Sequence, residues 1–334
     1  MNHARAISPR RQKHRSRAQV AAPGLPGLIG LPGFMGLPAF GLPGFLPALR
    51  AYSGFQVPQA RPAYSPVTLG RIGPLEVRLA RNAADVRRAQ RLRFQVFYQE
   101  MSAVADAPTM IARRDVDPFD PICDHLLVID HEAVPRGPLR KPAVVGTYRL
   151  LRQDMAERHS GFYTASEFDI GQLIARHSGL RFLELGRSCV LPAYRNKRTV
   201  ELLWHGIWTY VLAHRLDVMI GCASLEGTDP DRLALPLSFL HHYARAPEEW
   251  RTCAVPRRYV EMNRMPKRAV NARAALQELP PLIKGYLRLG AFIGDGAVVD
   301  RQFGTTDVLI ILPVSAINSR YIDHFGPTAD RHAA

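Results

Sequence analysis

Cysteine is scarce in this chain, with only Cys123, Cys189, Cys222 and Cys253 in 334 residues, no Cys-x-x-Cys pair and no matching histidine spacing. The scarcity argues against structural zinc and against a disulfide framework, and leaves the thiols as small buried hydrophobes in a reducing compartment. Acid is missing from the first 75 residues, which carry nine Lys or Arg and no Asp or Glu before Glu76. The rest of the chain therefore accounts for only +6 of the net +15, and a nucleic-acid-binding reading of the whole protein loses its main support. A long unbroken apolar run is missing too. Residues 18–49 are uncharged, but Pro23, Pro26, Pro32, Pro38, Pro43 and Pro47 interrupt any helix, whereas spanning a bilayer takes about 20 continuous apolar residues. The repeated Gly-Leu-Pro units cannot pack a core. Residues 1–70 are accordingly expected to be a disordered basic and Gly/Leu/Pro-rich tail, whose Leu and Phe beside cations suit peripheral contact with an anionic membrane.

What is present is a sizeable apolar fraction, 47%, organised from Glu76 onward into alternating helices and strands. The spacing of Val86, Leu92, Val96 and Phe97 predicts a helix over 83–99, followed by an acid-rich loop to Asp124. Strands are predicted at 125–130, 143–151 and 181–190, then a helix over 200–214 and a buried strand over 216–224. Helical stretches follow near 231–244 and 273–289, with a last strand at 306–312. Intermixed elements without internal repeats indicate an α/β (α+β) domain. Asp295 between two glycines reads as a turn residue, and the pair His241 and His242 as structural histidines.

The chemistry concentrates in FLELGRSCV, residues 182–190, where Glu184 and Arg187 interrupt an apolar strand. Three residues apart, they would face opposite sides of a regular strand. Gly186 between them marks a bulge, which resets the alternation, turns both side chains into one cavity and frees backbone N–H groups. Such groups suit the oxyanion of an amine attacking a thioester, with Glu184 as proton acceptor. A structural Glu184–Arg187 ion pair is the competing reading. Cys189 lacks an adjacent histidine to activate it, so direct aminolysis is expected rather than an acyl-enzyme.

The next segment, VLPAYRNKRTV, turns from strand end into helix, and its open helix start beside Arg195, Lys197 and Arg198 is a natural anion site. The V-x-P-x-Y-R element resembles the acyl-donor motif of the acetyltransferase-like superfamily. Asn196, Lys197, Arg198 and Thr199 stand where that motif carries glycines for coenzyme A, and this basic loop suits a phosphopantetheine phosphodiester on an acidic acyl carrier protein at least as well. Upstream, RFQVF, DVDPFD and GTYRLLR, taken with ELGR, resemble the acyl-homoserine-lactone synthases: Arg93 and Phe97 match their helix motif, Asp117 and Asp120 their acidic loop, Arg149 their strand arginine. No tryptophan follows Phe97, where those synthases have one. Asp117 and Asp120 also read as turn residues around Pro118.

A closer resemblance runs from about residue 76 to 326, through CDHLLVID, VVGTYRLLR, GFYTASEFDI, LELGRSCVLPAYR, TDPDRLALPLSFLHH, LPPLIKGYLRLGA, GDGAVVD and TTDVLIILPV. These blocks are similar to the ornithine lipid synthesis N-acyltransferases. The resemblance implies an acetyltransferase-like fold over residues 71–326, with a mixed central sheet, a bulged strand, flanking helices and a C-terminal extension. Residues 71–224 would form the core, 225–326 the acceptor and acyl-chain part, and 327–334 a short tail. It implies transfer of a 3-hydroxyacyl group from acyl carrier protein to the α-amine of ornithine, with no metal and no redox cofactor. Glu184 and Arg187 would be catalytic. Arg93, Phe97, Asp117, Asp120 and Arg149 would serve the substrate, and Arg195, Lys197, Arg198 and Thr199 the phosphopantetheine. On this reading Asp117 and Asp120 meet the ornithine side-chain cation, and Arg149 or Arg187 its carboxylate. The expected location is cytoplasmic, with peripheral contact at the inner membrane face. Two alternatives stay open: a lactone-type synthase, and a non-catalytic lipid- or nucleic-acid-binding protein.

Overall fold

The computed structural model describes residues 68–101, 103–133 and 141–317. The expected tails therefore lie outside the described residues, apart from positions 68–70. A hairpin opens the fold, β1 (Gly70–Ile72) against β2 (Leu75–Leu79), one residue earlier than the sequence boundary and in a stretch read there without strands. Helix α1 (Ala83–Phe94) starts at Asn82, whose side chain accepts from the amides of Ala84 and Asp85, and it continues as a wide i→i+5 turn over Gln95–Glu100. A short helix α2 (Ala107–Ala112) precedes β3 (Asp124–Asp130), β4 (Ala143–Arg152), α3 (Gln153–Glu157), α4 (Ile170–Arg176) and β5 (Phe182–Val190). Then come α5 (Lys197–His214), β6 (Val218–Glu226), α6 (Ala234–Tyr243), β7 (Tyr259–Val260), α7 (Ala272–Glu278), α8 (Pro281–Leu289), β8 (Phe292–Asp300) and β9 (Thr305–Pro313).

The strands form one mixed sheet in the order β1-β2-β3-β4-β5-β6-β9-β8-β7. Every pairing is antiparallel except β5 with β6, which α5 connects as a crossover. On one face α5 buries Leu202, Leu203 and Ile207 against Val77, Leu126, Val128, Leu183 and Leu185. The other face holds Phe182, Ile220, Leu309 and Ile311 under Phe168, Ile170 and Leu173, while α1 lays Leu92 and Val96 on Cys189. Both faces of β5 are thus covered, which is why this strand tolerates so little polarity outside its functional positions.

Two local expectations are corrected. The predicted helix over 273–289 is broken at Leu279–Pro280, both extended, because Pro280 and Pro281 supply no amide hydrogen and push the preceding residue out of the helical region. Asp295 is not in a turn. It lies inside β8, where Gly296 at φ 75° sits in a register shift between Ile293 and Ala297, and its carboxylate accepts from Arg245. A Cβ at Gly296 would come 2.4 Å from the Tyr259 ring, so the glycine serves a close approach as well as a bulge.

Candidate active site

The β4–β5 register shifts between Thr147 and Arg149, which face Cys189 and Gly186. Two steps on β4 oppose three on β5, so one residue of β5 is extra, as the glycine in ELGR suggests. The left-handed backbone is nevertheless taken by Arg187, φ 48°, rather than by Gly186. A side chain other than glycine is held there by its partners: Arg187 donates to Asp117 Oδ2 at 2.7 Å, lies 3.4 Å from Asp115 Oδ2, and stacks on the rings of Tyr163 and Phe303 at 5.1 and 5.0 Å. Gly186 lies beside the Arg149 guanidinium, which would stand in ordinary van der Waals contact, 3.7 Å, from a Cβ there. The extra residue brings Glu184, Arg187 and Cys189 to the α1 face, while Leu185 turns to the α5 face.

Glu184 is buried, and its Oε2 accepts from the Thr164 amide at 3.3 Å. Burial pushes the carboxyl up to about 7, opposed by the Arg149 charge and the Thr164 amide and assisted by Asp117. A carboxyl that changes protonation near neutrality is suited to accept a proton there. Cys189 is the opposite case: burial pushes its thiol up to about 12, which leaves no thiolate for a covalent route.

The competing reading, an ion pair between Glu184 and Arg187, is not realised among the described residues. Arg187 belongs to a buried network in which Arg93, Arg149 and Arg187 meet Asp115, Asp117 and Asp120, charge for charge. Arg93 is fully buried, forks onto Asp120 at 2.9 and 2.7 Å, and places Nε 2.8 Å from Asp115. Arg149 lies 2.7 Å from Asp117. The Arg93 guanidinium and its neighbours hold the Asp120 carboxyl well below the usual range against the opposing effect of burial. Asp117 also accepts from the Phe119 amide at 2.8 Å, as the turn reading of this loop requires. Asp117 and Asp120 thus have arginine partners within the fold, and Arg93 is buried among them. Phe97 packs edge-on against Phe303 at 5.7 Å, at the rim of the same cluster.

Beyond Glu184 the two parallel strands part. Phe182–Glu184 pair with Val218–Ile220, after which β5 stays with β4 and β6 with β9. The parting opens a pocket of about 30 Å³ bordered by Gly186, Arg187, Ser188, Gly221 and the hydroxyls of Tyr148 and Tyr286, which lie 3.3 Å apart. Gly221 is needed where the strands diverge, since a Cβ there would stand 2.3 Å from the Leu185 carbonyl oxygen. Gly221→Ala is expected to cost about 1–3 kcal/mol in urea unfolding, as overpacking does, and to lower transfer activity with it.

The donor residues divide. Arg195 is spent on Glu100, at 2.8 Å, and on the Val190 carbonyl. Thr199 is buried, its amide donating to the Asn196 cap at 3.1 Å. Lys197 and Arg198 stay exposed at the start of α5, where a helix N-terminus favours an anion.

Sequence reasoning assigns no role to three carboxylates that the fold gathers, Glu167, Asp300 and Asp307, whose oxygens lie within 4.8 Å of one another. Burial and Asp307 push Glu167 up to about 7, with Arg258 at 3.3 Å as its cation. The signal was available: Asp307 interrupts an apolar strand in the way Glu184 does. Tyr148 and Ser188, each beside a residue already singled out, were also overlooked.

Against known proteins, the description "Acetyltransferase (GNAT) domain" matches residues 92–205, the span from α1 through the first half of α5. The L-ornithine N(alpha)-acyltransferase of Agrobacterium fabrum is 56% identical over 262 residues, 78% of this chain and 88% of the relative. This chain belongs to the L-ornithine N(alpha)-acyltransferase family. The Rhizobium meliloti member is 55% identical over 80% of this chain and 89% of its own length, and that of Rhodobacter capsulatus 43% over 75% and 94%. Membership makes the chain an acyltransferase with the acetyltransferase fold, and the mixed sheet with a bulged strand agrees with it. Among the described residues no helix is long and apolar enough to cross a membrane.

Proposed function

We propose that the protein transfers a 3-hydroxyacyl chain from the phosphopantetheine of acyl carrier protein to the α-amine of L-ornithine, giving lyso-ornithine lipid by direct aminolysis. The observation that carries the reading is Glu184, a buried carboxyl titrating near 7 on a bulged strand beside the point where β5 and β6 part. The relatives' names supply ornithine, and the exposed Lys197 and Arg198 suit the phosphodiester of a carrier-bound donor. Glu184 takes one proton from the ammonium, and the neutral nitrogen adds to the thioester carbon. Peptide N–H groups of the bulge, lining the small pocket, stabilise the oxyanion. Collapse breaks the C–S bond, the added nitrogen gives up its second proton, and that proton passes through the hydroxyl of Tyr148 or Tyr286 to the leaving thiolate, so that each tyrosine, kept neutral by burial, ends as it began. The proton on Glu184 returns through solvent. No metal or redox cofactor enters this scheme.

Ornithine carries a second ammonium. With Asp117 and Asp120 engaged by arginines, Glu167 and Asp307 are the better partners for it, since three carboxylates there face a single guanidinium within ion-pair distance among the described residues. Incubation with 3-hydroxyacyl carrier protein and a panel of amino acids, read by mass spectrometry, is expected to yield acyl-ornithine at least about tenfold faster than acyl-norvaline, which lacks the cation. A lactone product, equal rates for both acceptors, or no acylation of ornithine would refute the assignment.

A further inference from the structure

A cavity of about 980 Å³, far larger than the pocket at the parting strands, lies on the opposite side of the sheet order, where α6, α7 and α8 meet the start of β8. Strands β6 and β9 separate β8 from β5, so this cleft does not belong to the chemistry at Glu184. Its floor is apolar, with Phe239, Leu287 and Phe292, and at its lip Tyr243 and Leu276 are 50% and 42% exposed. Arg273, Lys284 and Arg288 line it, and no acidic side chain does except through Arg245, which is already bound to Asp295. None of the three cations is in an ion pair within the described residues. Lys284 and Arg288 stand four apart on α8, a spacing at which like charges repel unless an outside anion sits between them. Lys267 adds a further cation over the Tyr243 ring at 5.2 Å.

We infer that this cleft seats an anionic phospholipid of a bilayer surface, its acyl chain on the apolar floor and its phosphate against Arg273, Lys284 and Arg288. An apolar slot with a cationic rim and an exposed tyrosine at its lip has the chemistry of the membrane interface. An acidic carrier protein is the weaker occupant, because its thioester has to arrive at β5 and β6, which the start of α5 with Lys197 and Arg198 adjoins. The inference does not depend on which acceptor is acylated, since lipid binding is measured without turnover.

The test is vesicle co-sedimentation of the full chain near 0.15 M salt, with phosphatidylglycerol-rich and pure phosphatidylcholine vesicles. The triple variant Arg273→Ala, Lys284→Ala, Arg288→Ala is expected to bind the anionic vesicles on the order of 30- to 100-fold more weakly. A charge-matched control in the basic tail, Arg10→Ala, Arg11→Ala, Arg15→Ala, is expected to lose at least about fivefold less than the cleft variant. Leu276→Asp, a single change at an exposed position, reports on the same cleft should the triple variant fold poorly, and is expected to weaken binding about tenfold. Equal losses in the cleft and tail variants, or equal binding to neutral vesicles, would overturn the inference by reducing it to general charge. It is overturned as well if the cleft variants bind vesicles normally but show a raised KM for acyl carrier protein.

Discussion

Glu184→Gln is expected to lower acyl transfer by about 10²- to 10⁴-fold while making the protein more stable at neutral and alkaline pH. The two effects share one cause. In the folded chain burial raises the carboxyl from its ordinary 4.5 to about 7. Between those values the unfolded chain has released its proton and the folded chain still holds it, so stability falls as pH rises from about 4.5 to about 7. Glutamine carries no charge to desolvate and can still accept from the Thr164 amide. The gain in unfolding free energy is therefore expected to be on the order of 2–3 kcal/mol at pH 8 and to vanish below about pH 4.5. The wild-type rate profile should show an acid limb with a midpoint near 7, because only the carboxylate accepts a proton. Unchanged turnover in a folded variant would remove Glu184 from the chemistry. A loss of activity accompanied by lower stability at pH 8 would instead make it a structural group.

Arg93→Met carries the second large effect, on folding rather than on chemistry. Methionine fills much of the volume but leaves Asp115 and Asp120 in the interior without their shared guanidinium. Stranding buried charge in this way costs about 3–5 kcal/mol, a large share of the stability of an ordinary domain. Arg93→Lys should recover little of it, since one ammonium cannot reproduce the fork onto Asp120 and the contact to Asp115 together. The sign of the pH dependence follows from Asp120, whose folded carboxyl lies below its ordinary value of 3.8. Its contribution is fully present above 3.8 and is lost as pH falls toward the depressed folded value. The gap between wild type and variant in urea unfolding is accordingly expected to be widest near pH 7 and to narrow below about pH 4. A variant as stable as wild type would mean that water reaches the network and screens it.

This network also shows where local reasoning stops. The family resemblance assigns Arg93 and Arg149 to the substrate, and Arg187 to catalysis or to the ornithine carboxylate. A cation can be answered from inside or from outside the molecule. Here Asp115, Asp117 and Asp120 answer all three, from a loop 22 to 72 residues distant in sequence. The bulge was legible because a glycine between two charges in a strand is a local signal. Its backbone was not: the left-handed residue is Arg187, held there by Asp117, Tyr163 and Phe303, which are distant in sequence. The proline pair at 280 and 281 was equally local and divides a helix that periodicity alone had joined.

Legible along the chain alone were the alternation of elements, the place of the bulge in the 182–190 strand, the paucity of reactive thiols and the family resemblance. All of these depend on the order and spacing of neighbours along the chain, which fix dihedral preference and the side of each strand a residue occupies. Folding in three dimensions was needed to show that the acid-rich loop neutralises the buried arginines, that Glu167 and Asp307 join Asp300, and that β5 and β6 separate just past Glu184. Those outcomes rest on which distant groups come within a few ångströms of each other, and electrostatic and hydrogen-bond energies depend on that distance rather than on separation along the chain.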